Sequence, residues 1–229
     1  MVKIIGLAGG DEFRIGCESM DRELLAATGK KDARVIIVPT AADENPVQAA
    51  DHGVRYFTGL GADSRSLMVL TNRDANDFKI VQQLEDADII YFTGGNPEHL
   101  LNTINHSALV AKIVQLLDIG TIVVGSSAGA MVLGGKMRRP RSGGWVDALS
   151  AVPGIATLPH HENSDPEQTF LQLDPEVNSG ITILGIDART ACLGQRGSWR
   201  VVGSGKVIKY DLSGWNVYAS GQNFSVSEK

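Results

Sequence analysis

Apolar residues in the first half of the chain fall into short β-branched runs, separated by longer stretches in which they recur about every 3.6 positions. Short apolar runs of this kind are typical of strands that are buried on both faces of a sheet. They are Val2–Leu7, Arg34–Val38, Ser66–Leu70, Ala87–Phe92 and Gly120–Val124. The helical spacing between them predicts four helices. These are Glu18–Thr28, Pro46–Thr58, Asp74–Leu84 and Glu98–Leu117, the last with a break near Asn105.

This alternation predicts an α/β fold, a doubly wound and mostly parallel sheet with helices on both faces. The pattern changes after residue 137. Lys136–Gly144 has the composition of a loop, and from Ile181 onward short strands separated by glycines predict a C-terminal antiparallel extension. Within it, Val201–Tyr210 has the pattern of a hairpin that turns at Gly203–Gly205. A chain of 229 residues, 43% of them hydrophobic, can bury the core of one domain spanning residues 1–229.

Composition narrows the choice of partners. The formal net charge of −5 gives no overall positive field, which argues against nucleic acid as a partner. The chain has neither an export leader nor a run of about 20 apolar residues, so we expect a cytoplasmic protein without a membrane partner.

Cys17 and Cys192 are far apart and form no metal-binding spacing. Gly6–Gly10 is an incomplete dinucleotide fingerprint, so we expect no cofactor. A homodimer is compatible with this chain length, although no residue pattern indicates one.

The clearest chemical motif is Gly125-Ser-Ser-Ala-Gly129, which places Ser127 at the centre of a G-x-S-x-G pattern between a predicted strand and a predicted helix. In that context the motif predicts a nucleophile elbow, a tight turn that exposes the serine oxygen at the carboxyl edge of the sheet. The N–H of Ala128 would then face an oxyanion. The alternative is a small-residue turn selected for close packing, in which Ser126 or Ser127 only caps the helix.

A serine nucleophile needs a base, most often histidine. His160 and His161 lie in a predicted loop that can return to the carboxyl edge of the sheet, and either can serve, while the other packs or binds substrate. A second loop, Phe92–Glu98, follows another predicted strand. Its glycines let the backbone approach a ligand, so the N–H of Gly95 is a candidate for the second oxyanion donor. Taken alone, this loop is equally well explained as a plain strand-to-helix turn.

Together these motifs resemble one family, the serine peptidases that comprise peptidase E, an aspartyl dipeptidase, and cyanophycinase. The resemblance is carried by Phe92–Asn96, Gly125–Ala130, Pro159-His160, Gly185–Ala191 and Val202–Val207. It implies a fold similar to that of class I glutamine amidotransferases, with serine at the position of their cysteine. It also implies Ser127 as nucleophile, His160 as general base, and the N–H groups of Gly95 and Ala128 as oxyanion hole. Family members commonly place an aromatic residue after the catalytic histidine. Here His161 stands there, which keeps the choice between the two histidines open.

The third member of a triad is less clearly indicated. Peptidase E supplies an acid between its serine and its histidine, and Asp147 is the only carboxylate between Ser127 and His160. We therefore expect Asp147 to orient the histidine, with Glu162 and Asp165 as alternatives. Because a missing acid weakens the base without removing oxyanion stabilisation, a slow or inactive relative is a further reading.

A basic cluster just past the motif is by default a solvated surface loop, and it indicates the substrate only if it faces the site. It consists of Lys136, Arg138, Arg139 and Arg141. If this loop faces the site, the arginines would bind a substrate carboxylate, with Asn96 and His161 as further substrate-binding residues. The expected function is hydrolysis of small Asp-X peptides through an acyl-enzyme. The alternatives are cyanophycinase-like cleavage of β-Asp-Arg bonds, an ester or amide hydrolase unrelated to aspartate, and a catalytically weak protein that binds a small ligand.

Overall fold

Five parallel strands form one side of the main eight-stranded sheet. The structure is a computed structural model that describes residues 3–140, 143–195 and 197–227. These strands are β1 (Ile5–Ala8), β2 (Arg34–Val38), β3 (Asp63–Ser66), β4 (Ile89–Phe92) and β5 (Ile122–Ser126). They lie in the order β3-β2-β4-β5-β1. The expected strand at Ser66–Leu70 is displaced toward the N-terminus. Its pairing with β2 ends with the bond from the Leu67 N–H to the Ile37 carbonyl at 2.8 Å, after which the Val69 N–H turns back to the Leu67 carbonyl at 3.0 Å.

Helices cover both faces of these strands, which is why their sequences are apolar without alternation. The helices are α1 (Glu18–Ala27), α2 (Pro46–Gly59), α3 (Asn72–Ala75), α4 (Phe78–Gln82), α5 (Pro97–Ile104), α6 (Ala108–Ile119) and α7 (Ala128–Leu133). Val35, Ile89 and Ile122 pack on one side of the sheet, in a cluster with Leu24 of α1 and Phe57 of α2.

Two predicted helices are divided in the structure. The helix expected at Asp74–Leu84 is split into α3 and α4, because the Asp77 carboxylate accepts the N–H groups of Lys79 and Ile80 and starts a new helix. The break expected near Asn105 is confirmed, and Ser107 caps α6 by accepting the N–H of Val110.

The C-terminal part extends the main sheet and builds a second one. Strands β10 (Thr190–Gln195), β11 (Ser198–Gly203) and β14 (Asn223–Ser225) continue antiparallel beyond β1. The second sheet has the order β13-β12-β9-β8. Its strands are β8 (Ile155–Pro159), β9 (Thr182–Ile186), β12 (Lys206–Asp211) and β13 (Gly214–Ala219), and α8 (Pro166–Asn178) joins the parallel pair β8 and β9. The antiparallel extension is therefore confirmed.

Two local predictions in this region are wrong. Val201–Tyr210 is not a hairpin, because β11 pairs with β10 and β14 while β12 pairs with β9 and β13. Gly203, at φ 106°, carries the chain from one sheet to the other past the Arg189 carbonyl. Residues 136–144 are not simply a loop either. They begin with β6 (Lys136–Arg138), which pairs with β7 (Trp145–Asp147).

The fold brings several connections to one edge of the main sheet. The loops that follow β1, β4 and β5 leave from the carboxyl ends of neighbouring parallel strands, so they meet at the same edge. The segment after β8 joins them there. Within the described ranges, no helix combines the length and the apolar character required to cross a membrane.

Candidate active site

Ser127 stands in a strained turn between β5 and α7, with φ 48° and ψ −107°. The glycines of the motif are needed for packing. A β-carbon on Gly125 would lie 2.2 Å from the Gly129 carbonyl carbon, and one on Gly129 would lie 2.6 Å from the Phe92 oxygen. Close packing is thus part of the explanation for the motif. It does not explain Ser127, whose side chain makes no capping hydrogen bond to the described residues of α7.

The Ser127 hydroxyl faces an imidazole. Ser127 Oγ lies 2.9 Å from His160 Nε2, a distance at which the hydroxyl donates to the ring when the imidazole carries its proton on Nδ1. His160 also has an unusual backbone, with φ 136°. Its ring lies over Gly10, where a β-carbon would fall 2.1 Å from Cε1. Two strained residues from distant segments are therefore held in hydrogen-bond contact.

His161 occupies a different environment. It is 4% exposed, and its Nε2 lies 2.7 Å from the Tyr210 hydroxyl. A β-carbon on Gly185 would lie 2.4 Å from its ring. Burial lowers the pKa of His161, so the neutral ring is favoured. The expectation that His161 binds substrate is therefore corrected, because its ring is packed inside the protein against the second sheet.

Asp147 is not placed to orient His160, which corrects the expectation for the third member of a triad. It lies on β7, its side chain is 85% exposed, and its Oδ1 pairs with Lys136 Nζ at 2.6 Å. In the described part of the chain, Asp147 makes no hydrogen bond to His160. The β6–β7 pairing places it opposite Lys136 instead. The position of Asp147 between Ser127 and His160 in the sequence thus did not predict a contact with His160.

The other two acids considered have distinct positions. Asp165 Oδ1 accepts the N–H of Gln168 at 2.9 Å at the start of α8. Glu162 Oε2 accepts the N–H of Ala188 at 3.0 Å. That N–H and the N–H of Glu162 itself lower the pKa of Glu162, and the nearby His160 lowers it further. The Glu162 carboxylate is thus close enough to His160 for the two groups to interact electrostatically.

The loop after β4 approaches Ser127 through two glycines. Gly95 has φ 138°, and a β-carbon there would lie 2.0 Å from the Ala41 carbonyl oxygen. Asn96 starts α5, where its Oδ1 accepts the N–H of His99 at 3.1 Å and its Nδ2 donates to Asp43 Oδ2 at 2.7 Å. Both polar ends of Asn96 are therefore engaged within the protein. Asn96 also lines the larger cavity of the site, so its role in substrate binding stays a prediction.

On the opposite side of Ser127, Ala128 is the first residue of α7. The N–H groups of a first helical turn have no acceptor inside the helix. The N–H of Ala128 is therefore available at the turn that carries Ser127. Gly95 and Ser127 line the same cavity, which places the two candidate oxyanion donors on elements that flank it.

Glu12, which the sequence did not single out, connects these two elements. Its Oε1 accepts the N–H of Gly94 at 2.6 Å, and its Oε2 accepts the Ser126 hydroxyl at 2.8 Å. The available signal was a carboxylate placed shortly after a strand and a glycine pair, Gly9-Gly10, at the carboxyl edge of the sheet.

A cavity of about 300 Å³ opens at Ser127 and His160, with Asp11, Glu12 and Arg14 in its lining. A neighbouring cavity of about 560 Å³ shares Arg14, Ala49, His52 and Gly95 with it. The larger one also has acidic lining residues. These are Asp43, Glu44 and Glu98. The two cavities together form a cleft, and Arg14 lies at their junction.

The basic cluster is not arranged as the sequence suggested. Of its described members, Arg138 and Arg139 are exposed and line neither cavity, and Lys136 pairs with Asp147. Pro140 does line the larger cavity. Arg141 lies outside the described residues. Among the described residues, the arginine that lines the cleft is Arg14, from the loop after β1.

A buried acid on α1, Asp21, lies close enough to Glu12 to interact with its charge. Burial raises the pKa of Asp21 to about 7, although the hydrogen bond from the Tyr56 hydroxyl, 2.8 Å from Oδ2, partly opposes the rise. The negative charge of Glu12 raises it further. Nearby, burial also raises the pKa of the Cys17 thiol to about 11, which keeps it protonated. No described group of three or more His, Cys, Asp or Glu side chains is arranged to hold a metal ion.

Known proteins resemble this chain over most of its length. A cyanophycinase from Geminocystis herdmanii is 26% identical over 215 residues, which cover 89% of this chain and 78% of that protein. A crystal structure of a peptidase from an acI-B1 Actinobacterium has a TM-score of 0.81 at 25% identity and covers 98% of this chain and 97% of that one. A putative peptidase E protein from Listeria monocytogenes EGD-e shares the fold, with a TM-score of 0.61 at 20% identity over 93% of this chain and 100% of that one.

The family model that matches this chain is Peptidase family S51, over residues 4–202. The match includes Ser127, His160 and the three loops that surround them. The chain therefore belongs to Peptidase family S51, a family of serine peptidases.

Proposed function

We propose that this protein hydrolyses small aspartyl peptides through an acyl-enzyme formed on Ser127. The observation that carries the proposal is the 2.9 Å contact between Ser127 Oγ and His160 Nε2, made at the edge of a cavity large enough for part of a small peptide. A serine hydroxyl is a weak nucleophile at neutral pH, and a neutral imidazole at this distance is the base that activates it.

The reaction proceeds in two halves. Ser127 Oγ attacks the peptide carbonyl carbon while its proton moves to His160 Nε2, and the N–H groups of Gly95 and Ala128 stabilise the oxyanion. His160 then gives that proton to the leaving amine, and the carbon–nitrogen bond breaks. In the second half, water attacks the acyl carbon and loses a proton to Nε2. The proton returns to Ser127 Oγ as the acid leaves.

Arg14 supports an aspartyl substrate. It lies at the junction of the two cavities, where a guanidinium can bind a carboxylate in two parallel hydrogen bonds. It takes the place that the basic cluster at 136–141 was expected to fill. We therefore propose that Arg14 contributes to binding the substrate carboxylate.

A second candidate, cleavage of β-Asp-Arg, has support of its own. The larger cavity has acidic lining residues that suit a cationic leaving group, and the curated relative is named a cyanophycinase. The acidic residues that line the larger cavity are Asp43, Glu44 and Glu98.

The third candidate is a protein that binds small ligands without turnover, because Asp147 makes no contact that would orient His160.

One panel of substrates separates these readings. The purified protein is assayed with Asp-Leu, Asp-Arg, β-Asp-Arg and Leu-Arg dipeptides, with Ser127→Ala as the control. The proposal predicts turnover of Asp-Leu, with Leu-Arg at least about 10²-fold slower, and no turnover by Ser127→Ala. A kcat/KM that is highest for β-Asp-Arg and negligible for Asp-Leu would favour the second candidate.

A fluorophosphonate probe tests the chemistry without knowledge of the substrate. An activated serine reacts with it covalently, whereas a serine in a binding protein does not. Labelling lost in Ser127→Ala with no dipeptide turnover would point to a different acyl substrate. Failure of the wild-type protein to be labelled would contradict the acyl-enzyme itself.

A further inference from the structure

The carboxylate of Glu12 joins the two backbone segments that flank Ser127. One oxygen accepts the N–H of Gly94 at 2.6 Å, and the other accepts the Ser126 hydroxyl at 2.8 Å. Gly94 is 82 residues from Glu12 in sequence, and Ser126 is 114 residues away. A single side chain on the loop after β1 thus connects the loop after β4 with the turn after β5.

The contact is tight on the Gly94 side. A β-carbon on Gly94 would lie 2.9 Å from Glu12 Oε1 and 3.3 Å from the Ser127 β-carbon. Two consecutive glycines have little conformational preference of their own, so the direction of the Gly95 N–H depends on external contacts. A hydrogen bond to a carboxylate is about twice as strong as one between neutral groups. The hydrogen bond from the Gly94 N–H to Glu12 therefore fixes the backbone orientation of Gly94, the first residue of the pair.

The same bond also determines which N–H stays free. The Gly94 N–H points at Glu12, so it is occupied, and the next N–H along the chain is that of Gly95. On the other side, the Ser126 hydroxyl is fully buried and bound to Glu12, immediately before the strained residue Ser127. Both flanks of the cavity are thereby held by one carboxylate.

We infer that Glu12 is a positioning residue, which sets the separation between the Gly95 and Ala128 N–H groups on either side of Ser127. It does not exchange a proton with the substrate. Its contribution is to hold two donors where the oxyanion forms, and misplacement of such groups by about 1 Å can slow a reaction about 10²-fold. This inference rests on the proposed function.

Three substitutions at Glu12 separate its geometry from its charge. Glu12→Ala removes both hydrogen bonds, and we expect kcat to fall about 10²-fold with KM changed less than about 3-fold. Glu12→Asp keeps the charge but is too short to reach both donors, and we expect a loss of about 10-fold or more. Glu12→Gln keeps the shape, since its oxygen can accept from Gly94 and its amide can donate to Ser126 Oγ. We expect it to retain kcat within about 10-fold of the wild type.

Glu18→Ala is the matched control. Glu18 Oε2 accepts the Gly16 N–H at 2.7 Å, so its removal also deletes a carboxylate-to-backbone bond near the same loop, but Glu18 does not line the cavity. We expect a similar small loss of thermal stability and an unchanged kcat. The fluorophosphonate labelling rate of each variant is measured below its melting temperature, so that only folded protein is compared.

The outcomes distinguish this inference from the proposed function. Wild-type kcat and labelling rates in both Glu12→Ala and Glu12→Asp would overturn the inference while leaving Ser127 as nucleophile. Equal losses of kcat in Glu12→Ala and Glu18→Ala would also overturn it, because they would show a general structural effect. If Ser127→Ala retains full hydrolysis, the proposed function itself fails. Should Glu12→Ala not fold, the contrast between Glu12→Asp and Glu12→Gln decides the question.

Discussion

The ring of His160 lies against the α-carbon of Gly10, so closely that a β-carbon there would fall 2.1 Å from Cε1 and 2.6 Å from Nε2. Gly10, two residues after the end of β1, therefore determines where the imidazole of a residue 150 positions later lies relative to Ser127. Any side chain at position 10 must displace the ring.

The first prediction follows from this contact. Gly10→Ala should lower kcat at least about 10²-fold, because the ring must move away from Ser127 Oγ. Gly10 also has φ 118°, so the variant should lose stability as well. The measurements are kcat for the best dipeptide and the melting temperature.

Gly29→Ala is the control for backbone strain, since Gly29 has φ 67° but open space around its α-carbon. It should lose stability by about 1 kcal/mol and keep its kcat. Retention of wild-type kcat by folded Gly10→Ala would show that the ring position is not important for turnover.

The second prediction concerns the strain at Ser127. Its φ of 48° and ψ of −107° are unfavourable for residues with a β-carbon. Ser127→Gly and Ser127→Ala should both be inactive, but Ser127→Gly should have the higher free energy of unfolding, by about 1 kcal/mol. Chemical denaturation of both variants measures this difference. A more stable Ser127→Ala would mean that the turn is relaxed.

The third prediction distinguishes the two adjacent histidines. His160→Ala should reduce fluorophosphonate labelling at least about 10³-fold with little change in stability, because it removes the base. His161→Ala should instead destabilise the protein by about 2–4 kcal/mol, because it opens a cavity and removes the hydrogen bond between His161 and the Tyr210 hydroxyl. Labelling of folded His161→Ala should continue.

Tyr210→Phe provides a milder test of the same pair. It removes the hydrogen bond to His161 while keeping the aromatic packing, so the expected loss is about 1–2 kcal/mol. If His161→Ala abolished labelling while His160→Ala did not, the assignment of the two histidines would be reversed.

The sequence was most informative where chemistry depends on neighbouring residues. The turn at Gly125–Gly129 could be predicted because the residues that form it are adjacent in sequence: the glycines allow close packing, and Ser127 stands between them. The parallel strands were likewise recognisable, because burial on both faces leaves an apolar run. These signals are local or nearly so.

The sequence-based predictions that failed, and the residue that was overlooked, all depend on contacts between distant segments. Asp147 was chosen for its place in the chain, but the pairing of β6 with β7 brings it to Lys136 instead. The glycines at Gly203–Gly205 suit a hairpin locally, yet the two flanking strands join different sheets. Glu12 was missed for the same reason, since its partners are 82 and 114 residues away. No local pattern contains information on which distant strand will be the neighbour.

The fourth prediction concerns pH and the buried Asp21. Its pKa is raised from 3.8 to about 7 in the folded protein, chiefly by burial, so the folded state holds a proton that the unfolded state has released. The contribution of Asp21 to the free energy of unfolding is therefore largest below pH 4 and decreases as the pH rises toward 7. At 1.36 kcal/mol per pKa unit, the loss is on the order of a few kcal/mol.

Asp21→Asn removes this titration and keeps an oxygen that can accept the Tyr56 hydroxyl. The free energy of unfolding of the wild type relative to Asp21→Asn should therefore fall between pH 4 and pH 7 and become constant above that range. Asp147→Asn, at an exposed site paired with Lys136, should change stability by less than about 1 kcal/mol. A difference between wild type and Asp21→Asn that rises over this range would mean that a partner holds Asp21 ionised in the folded protein.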